Sequence, residues 1–545
     1  MTKKKNLSRT VSLLLFSVFC VTASVCQTSF YIDPGFAGAG RNGSPSTPWQ
    51  SLNDSGSWSA VNSALASANV TVFFSATGSS TSALGLGSRT DTSSHILTLD
   101  GISKKNTNSS SPSWTTNVIP SPCKFDAPGC AWASATKFTI TATTPVAGSD
   151  SATNCKNYFT IQGFTLHNPE GQSADLTYTG NLTFQYNDVS RVATGSYGPG
   201  VYIGPGNKGP GCGGSGPDNV TVQYNHIHNT WGECLYAGAT TSDPPGGPGD
   251  PEYISTGLTC GINCPTGANY LIQGNVNESC ASWGGQGDGM DIKDGHTNLR
   301  ILNNTIRPSK ACSNCGTSTP GSDGQGIVME SGDLVDGNYI EQPNHEGIAI
   351  FDSWNNSAGR GPLRVSNNIV VNVTGGTGHK NGIEVQSPAL VGSLQVWLTP
   401  VGFYNNSIYL TANPCITVAG SSLSGGIGAV AENNICDSTV GGITGVTTHD
   451  YNDYFNAGVS CPVSGEAHSL CDDPKFVSTS APYLDSNFKL QSGSPVTTVG
   501  MDLSSLFTDD YFGDSRTTPW DMSASAQTTT ATAPSAPTGL VASVN

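Results

Sequence analysis

Short apolar strands that end in Asn followed by another apolar residue recur through most of the chain: Phe184-Gln185-Tyr186-Asn187-Asp188-Val189, Val222-Gln223-Tyr224-Asn225-His226-Ile227 and Ile301-Leu302-Asn303-Asn304-Thr305-Ile306. Further copies centre on Asn275, Asn338, Asn368, Asn406 and Asn434, at intervals of 28 to 50 residues. The interval varies while the strand pattern persists, so loops are inserted between repeats of one unit. A second strand series runs between these Asn positions: Gly289-Met290-Asp291-Ile292-Lys293, Gly326-Ile327-Val328-Met329-Glu330, Gly347-Ile348-Ala349-Ile350-Phe351 and Gly382-Ile383-Glu384-Val385-Gln386. Its alternation turns Met290, Ile292, Ile327, Met329, Ile348, Ile350, Ile383 and Val385 toward one core. Each turn of chain supplies two or three strands, and the turns stack in parallel about 4.8 Å apart. The pattern predicts an all-β fold, a single parallel β-solenoid.

An Asn at a stacked bend has its own reason, because its amide bonds to backbone and to the Asn of the next turn. The Asn-x-Thr/Ser sequences at Asn181, Asn219, Asn303, Asn372 and Asn405 sit in or beside this repeat, so a structural role is expected for them before glycosylation. Charged residues make up 11% of the chain and Gly 66 of 545, which excludes a helical protein and fits many turns.

The first residues change the picture by adding a destination. Lys3, Lys4, Lys5 and Arg9 precede a short apolar run from Val11 to Val21, too short to span a bilayer, so residues 1–23 read as a signal peptide. A secreted or extracellular product without membrane insertion is expected. The formal charge of −16 becomes −20 once those four bases leave, which argues against a nucleic-acid partner. Of 16 cysteines, 14 lie beyond Cys26, and in an exported chain they predict disulfides, with Cys123/Cys130, Cys260/Cys264 and Cys461/Cys471 as local pairs. Cys312-Ser313-Asn314-Cys315 has the spacing of a zinc or redox motif, but with no second pair beside it a loop staple is the expected role. After Met522 the chain turns Ser, Ala and Thr rich. Residues 523–545 read as a linker and the first strand of a fibronectin-type module, either truncated or vestigial.

Taken with these repeats, residues 28–522 resemble the right-handed parallel β-helix superfamily of pectate lyases and their relatives. Phe30-Tyr31-Ile32-Asp33-Pro34 and Pro48-Trp49-Gln50-Ser51-Leu52 are similar to the opening segment of exported members. The resemblance implies a helical N-terminal cap, here Trp58 to Ala68, ahead of Val70-Thr71-Val72-Phe73-Phe74. It also implies that Asp473-Pro474-Lys475-Phe476, Phe488-Lys489-Leu490 and Ser492-Gly493-Ser494-Pro495 form the closing tail. A monomer acting on a polysaccharide is expected.

In register, the second strand series gathers one outward column of Asp291, Val328, Ala349 and Glu384, and another of Lys293, Glu330, Phe351 and Gln386. The position before each Gly adds Asp288, Gln325, Glu346 and Asn381, with His345 and Lys380 one place earlier. Asp288-Gly289-Met290-Asp291-Ile292-Lys293 resembles the Asp-Gly-x-x-x-Lys element of β-helix pectate lyases whose base is a lysine. The resemblance implies Lys293 as base and Asp288 and Asp291 as Ca²⁺ ligands, with Ca²⁺ neutralising a uronate carboxylate so that the neighbouring proton becomes acidic. Against this, Glu330 beside Lys293 would favour the charged amine, as in a plain ladder ion pair. Glu330, His345, Glu346, Trp283 and Trp354 are the expected contacts to substrate, the indoles by stacking on sugar rings or else by packing loops onto the coil.

Two other readings stay open. Polygalacturonase-like hydrolases share the fold, and Asp288 and Glu346, two rungs or about 9.6 Å apart, fall just past the roughly 6.5–9.5 Å of an inverting pair. A non-catalytic surface-binding solenoid is the other.

Overall fold

The computed structural model describes residues 27–527 apart from 91–92, 118–121, 148–155, 169–172, 177–178, 192–198, 204–218, 238–266, 281–286, 293–295, 311–323, 330–332, 352–362, 377–378, 387–399 and 420–427. It is a right-handed parallel β-helix whose coils run through three ladders of strands. The first ladder holds 13 strands from Gln27–Ile32 to Thr448–Asp450. Its inward column is Val72, Leu99, Ile161, Phe184, Val222, Ile272, Ile301, Val335, Val365, Phe403 and Ala431, each in register with the next and none exposed. After a bend comes the second ladder, including His226–His228, Val276–Glu278, Thr305–Arg307 and Tyr339–Glu341. The third contains Val201–Ile203, Leu235–Ala237, Met290–Ile292, Ile327–Met329, Ile348–Phe351 and Ile383–Gln386. All eight apolar side chains assigned inward there from the sequence are buried.

The bend between the first two ladders explains the recurrent Asn. The residue before each ladder Asn sits at positive φ, from Tyr186 (56°) and Tyr224 (53°) to Asn433 (62°) and Tyr451 (56°). That turn removes a backbone N–H from strand pairing, and the Asn of the next coil supplies its acceptor. Asn225 Oδ1, for example, accepts from both the backbone N–H and Nδ2 of Asn187, at 3.0 and 3.1 Å. The ladder continues through Asn275, Asn304, Asn338, Asn368, Asn406 and Asn434 to Asn452, every member buried. The five Asn-x-Thr/Ser positions follow the same logic: Asn181, Asn219, Asn303, Asn372 and Asn405 have φ between 47° and 59°. Asn is among the few residues with a side chain that adopt this region readily.

Glycines open the third ladder for a different reason. A Cβ on Gly289, Gly326 or Gly347 would run into the carbonyl of the glycine one coil on, so the backbones stack too closely for any side chain.

The helix Ser57–Leu65 caps the first coil with Val61 and Leu65 turned into the core. At the other end Tyr454, Ala457, Val459, Val463 and Cys471 cover the last coil. The tail beyond lies along the flank instead of over the end. Phe476, Phe488, Leu490, Val496 and Tyr511 pack on Tyr339, Ile369, Val371 and Ile435 of the second ladder. The N-terminal segment around Cys123 and Trp132 reaches the same flank, where Lys124 lies 3.8 Å from Asp485 of the tail and Arg307 lies 3.1 Å from Asp126.

Among the described residues four disulfides form: Cys123–Cys130, Cys234–Cys280, Cys415–Cys436 and Cys461–Cys471. Two are the local pairs read from spacing, and the other two join neighbouring coils. Cys260, Cys264, Cys312 and Cys315 lie outside the described residues.

The end of the coil carries an element that is destabilised as pH rises. Burial, aided by the charges of Asp437 and Asp472, pushes the Asp453 carboxyl up to about 8, and burial pushes Asp437 up to about 6. Asp453 Oδ1 accepts the N–H of Asp472 at 3.1 Å, whereas Oδ2 has no hydrogen-bond partner. Because the folded state holds these protons more tightly than the unfolded chain, their favourable contribution is complete below the unfolded carboxylate range near pH 4. It is lost as pH rises toward 8. Melting temperature should therefore fall between pH 5 and pH 8.5, and Asp453→Asn should raise it at pH 8.5 and flatten the slope. Scanning calorimetry across that range checks both, and an unchanged slope in the variant would refute the assignment.

Candidate functional site

The second ladder bears the more conspicuous ionic cluster. Asp188 Oδ1 accepts from His226 Nδ1 at 3.2 Å and His228 Nε2 at 2.8 Å, while His226 Nε2 meets Glu278 Oε1 at 3.2 Å. Burial alone would raise the Asp188 pKa and lower that of His226, but these bonds outweigh it, lowering the acid and raising the imidazole. Phe125 stacks on His226 at 3.8 Å and Arg307 bridges Glu278 and Glu341, so the cluster is a charge ladder beneath the covered flank.

The third ladder presents a different set. Its strand register aligns Tyr202, Tyr236, Asp291, Val328, Ala349 and Glu384 in one column on successive coils. The last four are the column read from the sequence. Tyr236, one coil before Asp291, and Tyr202, two coils before it, have their rings 5.3 Å apart and tilted to each other. From strand spacing the column extends about 24 Å along the axis.

Two groups of acids flank its middle. Cys234 N–H donates to Asp288 O at 3.1 Å, which sets the residues before Cys234 and Gly289 side by side on adjacent coils. Glu233 therefore joins Asp288, and Asp291 completes a trio whose carboxylate oxygens lie within 4.8 Å of one another. Asp288 Oδ1 also accepts the Gln325 N–H at 2.9 Å. Further along, Glu346 and Glu384 converge with His379, again within 4.8 Å. His379 Nδ1 lies 2.8 Å from Glu384 Oε1 and 3.7 Å from Glu346 Oε1. Gln386 Nε2 donates to Glu346 Oε1 at 3.0 Å, and the Asn381 amide donates to Glu384 Oε2. Burial, reinforced by the charge of Glu384, pushes the Glu346 carboxyl up to about 7. The hydrogen bond to Glu384 raises His379 above its ordinary value.

These positions correct one expectation. Asp288, Asp291 and Glu346 lie on the outward side of the strands, yet they are 0, 1 and 1% exposed. His345 is half-buried, with Nδ1 3.9 Å from Glu346 Oε2. Asp288 and Glu346 are two rungs apart, as read from the sequence. Lys293, Glu330, Trp283 and Trp354 lie outside the described residues. Glu233, His379, Tyr202 and Tyr236 were not singled out by sequence reasoning, and Glu384 appeared only as a column member. The one available signal was the Glu-Cys step at Glu233-Cys234, which occupies the place of Asp288-Gly289 one coil earlier.

Among the described residues no helix is long and apolar enough to cross a membrane. No family model and no curated protein matches the chain. Among solved structures it is similar to the crystal structure of pectate lyase Pel9A, at 13% identity and a TM-score of 0.42, over 92% of this chain and 97% of that one.

Proposed function

We propose that the protein is an extracellular polysaccharide lyase that cleaves a uronate-containing chain by β-elimination on the face of the third ladder. The observation that carries this reading is the arrival of Glu233 from the preceding coil beside Asp288 and Asp291. Three carboxylates withdrawn from water within 4.8 Å of one another fit an oxygen-ligated divalent ion, for which Ca²⁺ is the natural candidate. Bound there, Ca²⁺ would supply positive charge to a uronate carboxylate. Lys293, two residues beyond Asp291 in sequence, is the proposed base that takes the neighbouring proton. Tyr236 and Tyr202, one and two coils away, offer faces for sugar rings. Glu346, Trp283, Trp354, His345 and Glu330 remain proposed substrate contacts. Disulfides fit an oxidising compartment, and a monomer is proposed.

The burial of the trio favours a second reading, in which the ion pins adjacent coils and takes no part in chemistry. Incubating the purified protein with a panel of glycans, with and without chelator, separates the possibilities. Unsaturated uronate ends that vanish with chelator, at unchanged melting temperature, support the lyase. New reducing ends without unsaturation identify a hydrolase, and retention without products identifies a binding protein.

A further inference from the structure

We propose that Glu346, His379 and Glu384 form a second metal site on this face, suited to a transition-metal dication such as Zn²⁺ and not to Ca²⁺. The two carboxylates come from adjacent coils, and the pairing of Ala349 with Glu384 fixes their register, so the site is held by strand hydrogen bonds. Glu346 is 1% exposed, and while its Oε1 accepts from Gln386, its Oε2 has no hydrogen-bond partner. A buried carboxylate oxygen left in this condition is costly unless a cation or proton meets it. The carboxylate is turned toward His379 and Glu384, with all three ligand atoms within 4.8 Å.

The donor set decides the class of ion. An imidazole with two carboxylates matches the nitrogen and oxygen ligands of zinc, whereas calcium takes oxygens alone. Gln386 and Asn381, each bonded to one carboxylate, orient the ligands from behind. His379 has 64% of its side chain exposed, which gives an ion a route in and leaves a coordination position toward water. The Asp188, His226 and His228 group lacks this character, because no carboxylate oxygen there is both buried and without a hydrogen-bond partner, and Phe125 covers His226.

Titration calorimetry with ZnCl₂ in saturating Ca²⁺ tests the proposal apart from the trio, with Co²⁺ absorption in the visible range as a second readout. One stoichiometric site is expected. His379→Ala, a change at an exposed side chain, should abolish it and the Co²⁺ bands while the metal-free variant still unfolds in one cooperative transition, its melting temperature lowered only by loss of the pair with Glu384. Gln386→Ala, which keeps all three ligands, should weaken binding about 10- to 100-fold. Absence of stoichiometric binding, or binding indifferent to His379→Ala, would overturn the proposal.

Discussion

Asn304→Ala should destabilise the coil by about 3–6 kcal/mol, because a stranded buried polar group costs about 1–3 kcal/mol and this truncation strands several. Asn304 Oδ1 accepts from the backbone N–H and Nδ2 of Asn275 at 2.9 and 3.0 Å, and its own Nδ2 donates to Ile272 O and Asn338 Oδ1. No water reaches this bend to replace them, since Asn275, Asn304 and Asn338 have no exposed surface. A parallel change in an exposed Asn pair that joins adjacent coils is the control. Asn298 donates to Asn269 Oδ1 at 2.7 Å at an exposed site with φ 51°. Asn298→Gly keeps that backbone conformation without strain and should cost less than about 1 kcal/mol. Urea unfolding of the two variants decides the matter, and equal losses would show that the buried ladder is not the source.

Lys293→Ala should lower lyase turnover by about 10²- to 10⁴-fold, the range for losing a general base, while leaving fold and substrate retention intact. The same activity should disappear with chelator and return with Ca²⁺. A chain of formal charge −16 repels a polyuronate, so a cation between them serves encounter as well as chemistry. Glu233→Gln is the more telling variant, because only the coil stacking points to that residue. It should reproduce the chelator effect in part, measured as a raised Ca²⁺ requirement. Full activity in the chelated enzyme or in Lys293→Ala would remove this mechanism.

The periodic part of the chain was legible because a solenoid repeats its constraints. From Met290 to Gln386 each coil places apolar residues inward, an Asn at the buried bend and, in the third ladder, a Gly where backbones touch, so the register from Asp291 to Glu384 could be read by alignment alone. What joins coils across a long insertion was not legible. Glu233 is separated from Asp288 by the longest interval between ladder Asn residues, from Asn225 to Asn275, and the Cys234–Cys280 bridge spans the same insertion. Nor does His379 belong to any repeat. The burial of Asp288 and Glu346 escaped for another reason: alternation says which side of a strand a residue faces, not whether that side is covered.

The contact between Lys124 and Asp485 joins segments from opposite ends of the sequence across the flank. A bare solenoid unravels from its termini, shedding one coil at a time, because each coil is held only by its neighbours. Here the last portion of the chain doubles back over coils formed earlier and meets a loop laid down near the start. Fraying at the C-terminal end must first peel this clasp from Tyr339, Ile369 and Val371. The arrangement converts a stepwise loss of coils into one larger event, which slows proteolysis more than it changes equilibrium stability.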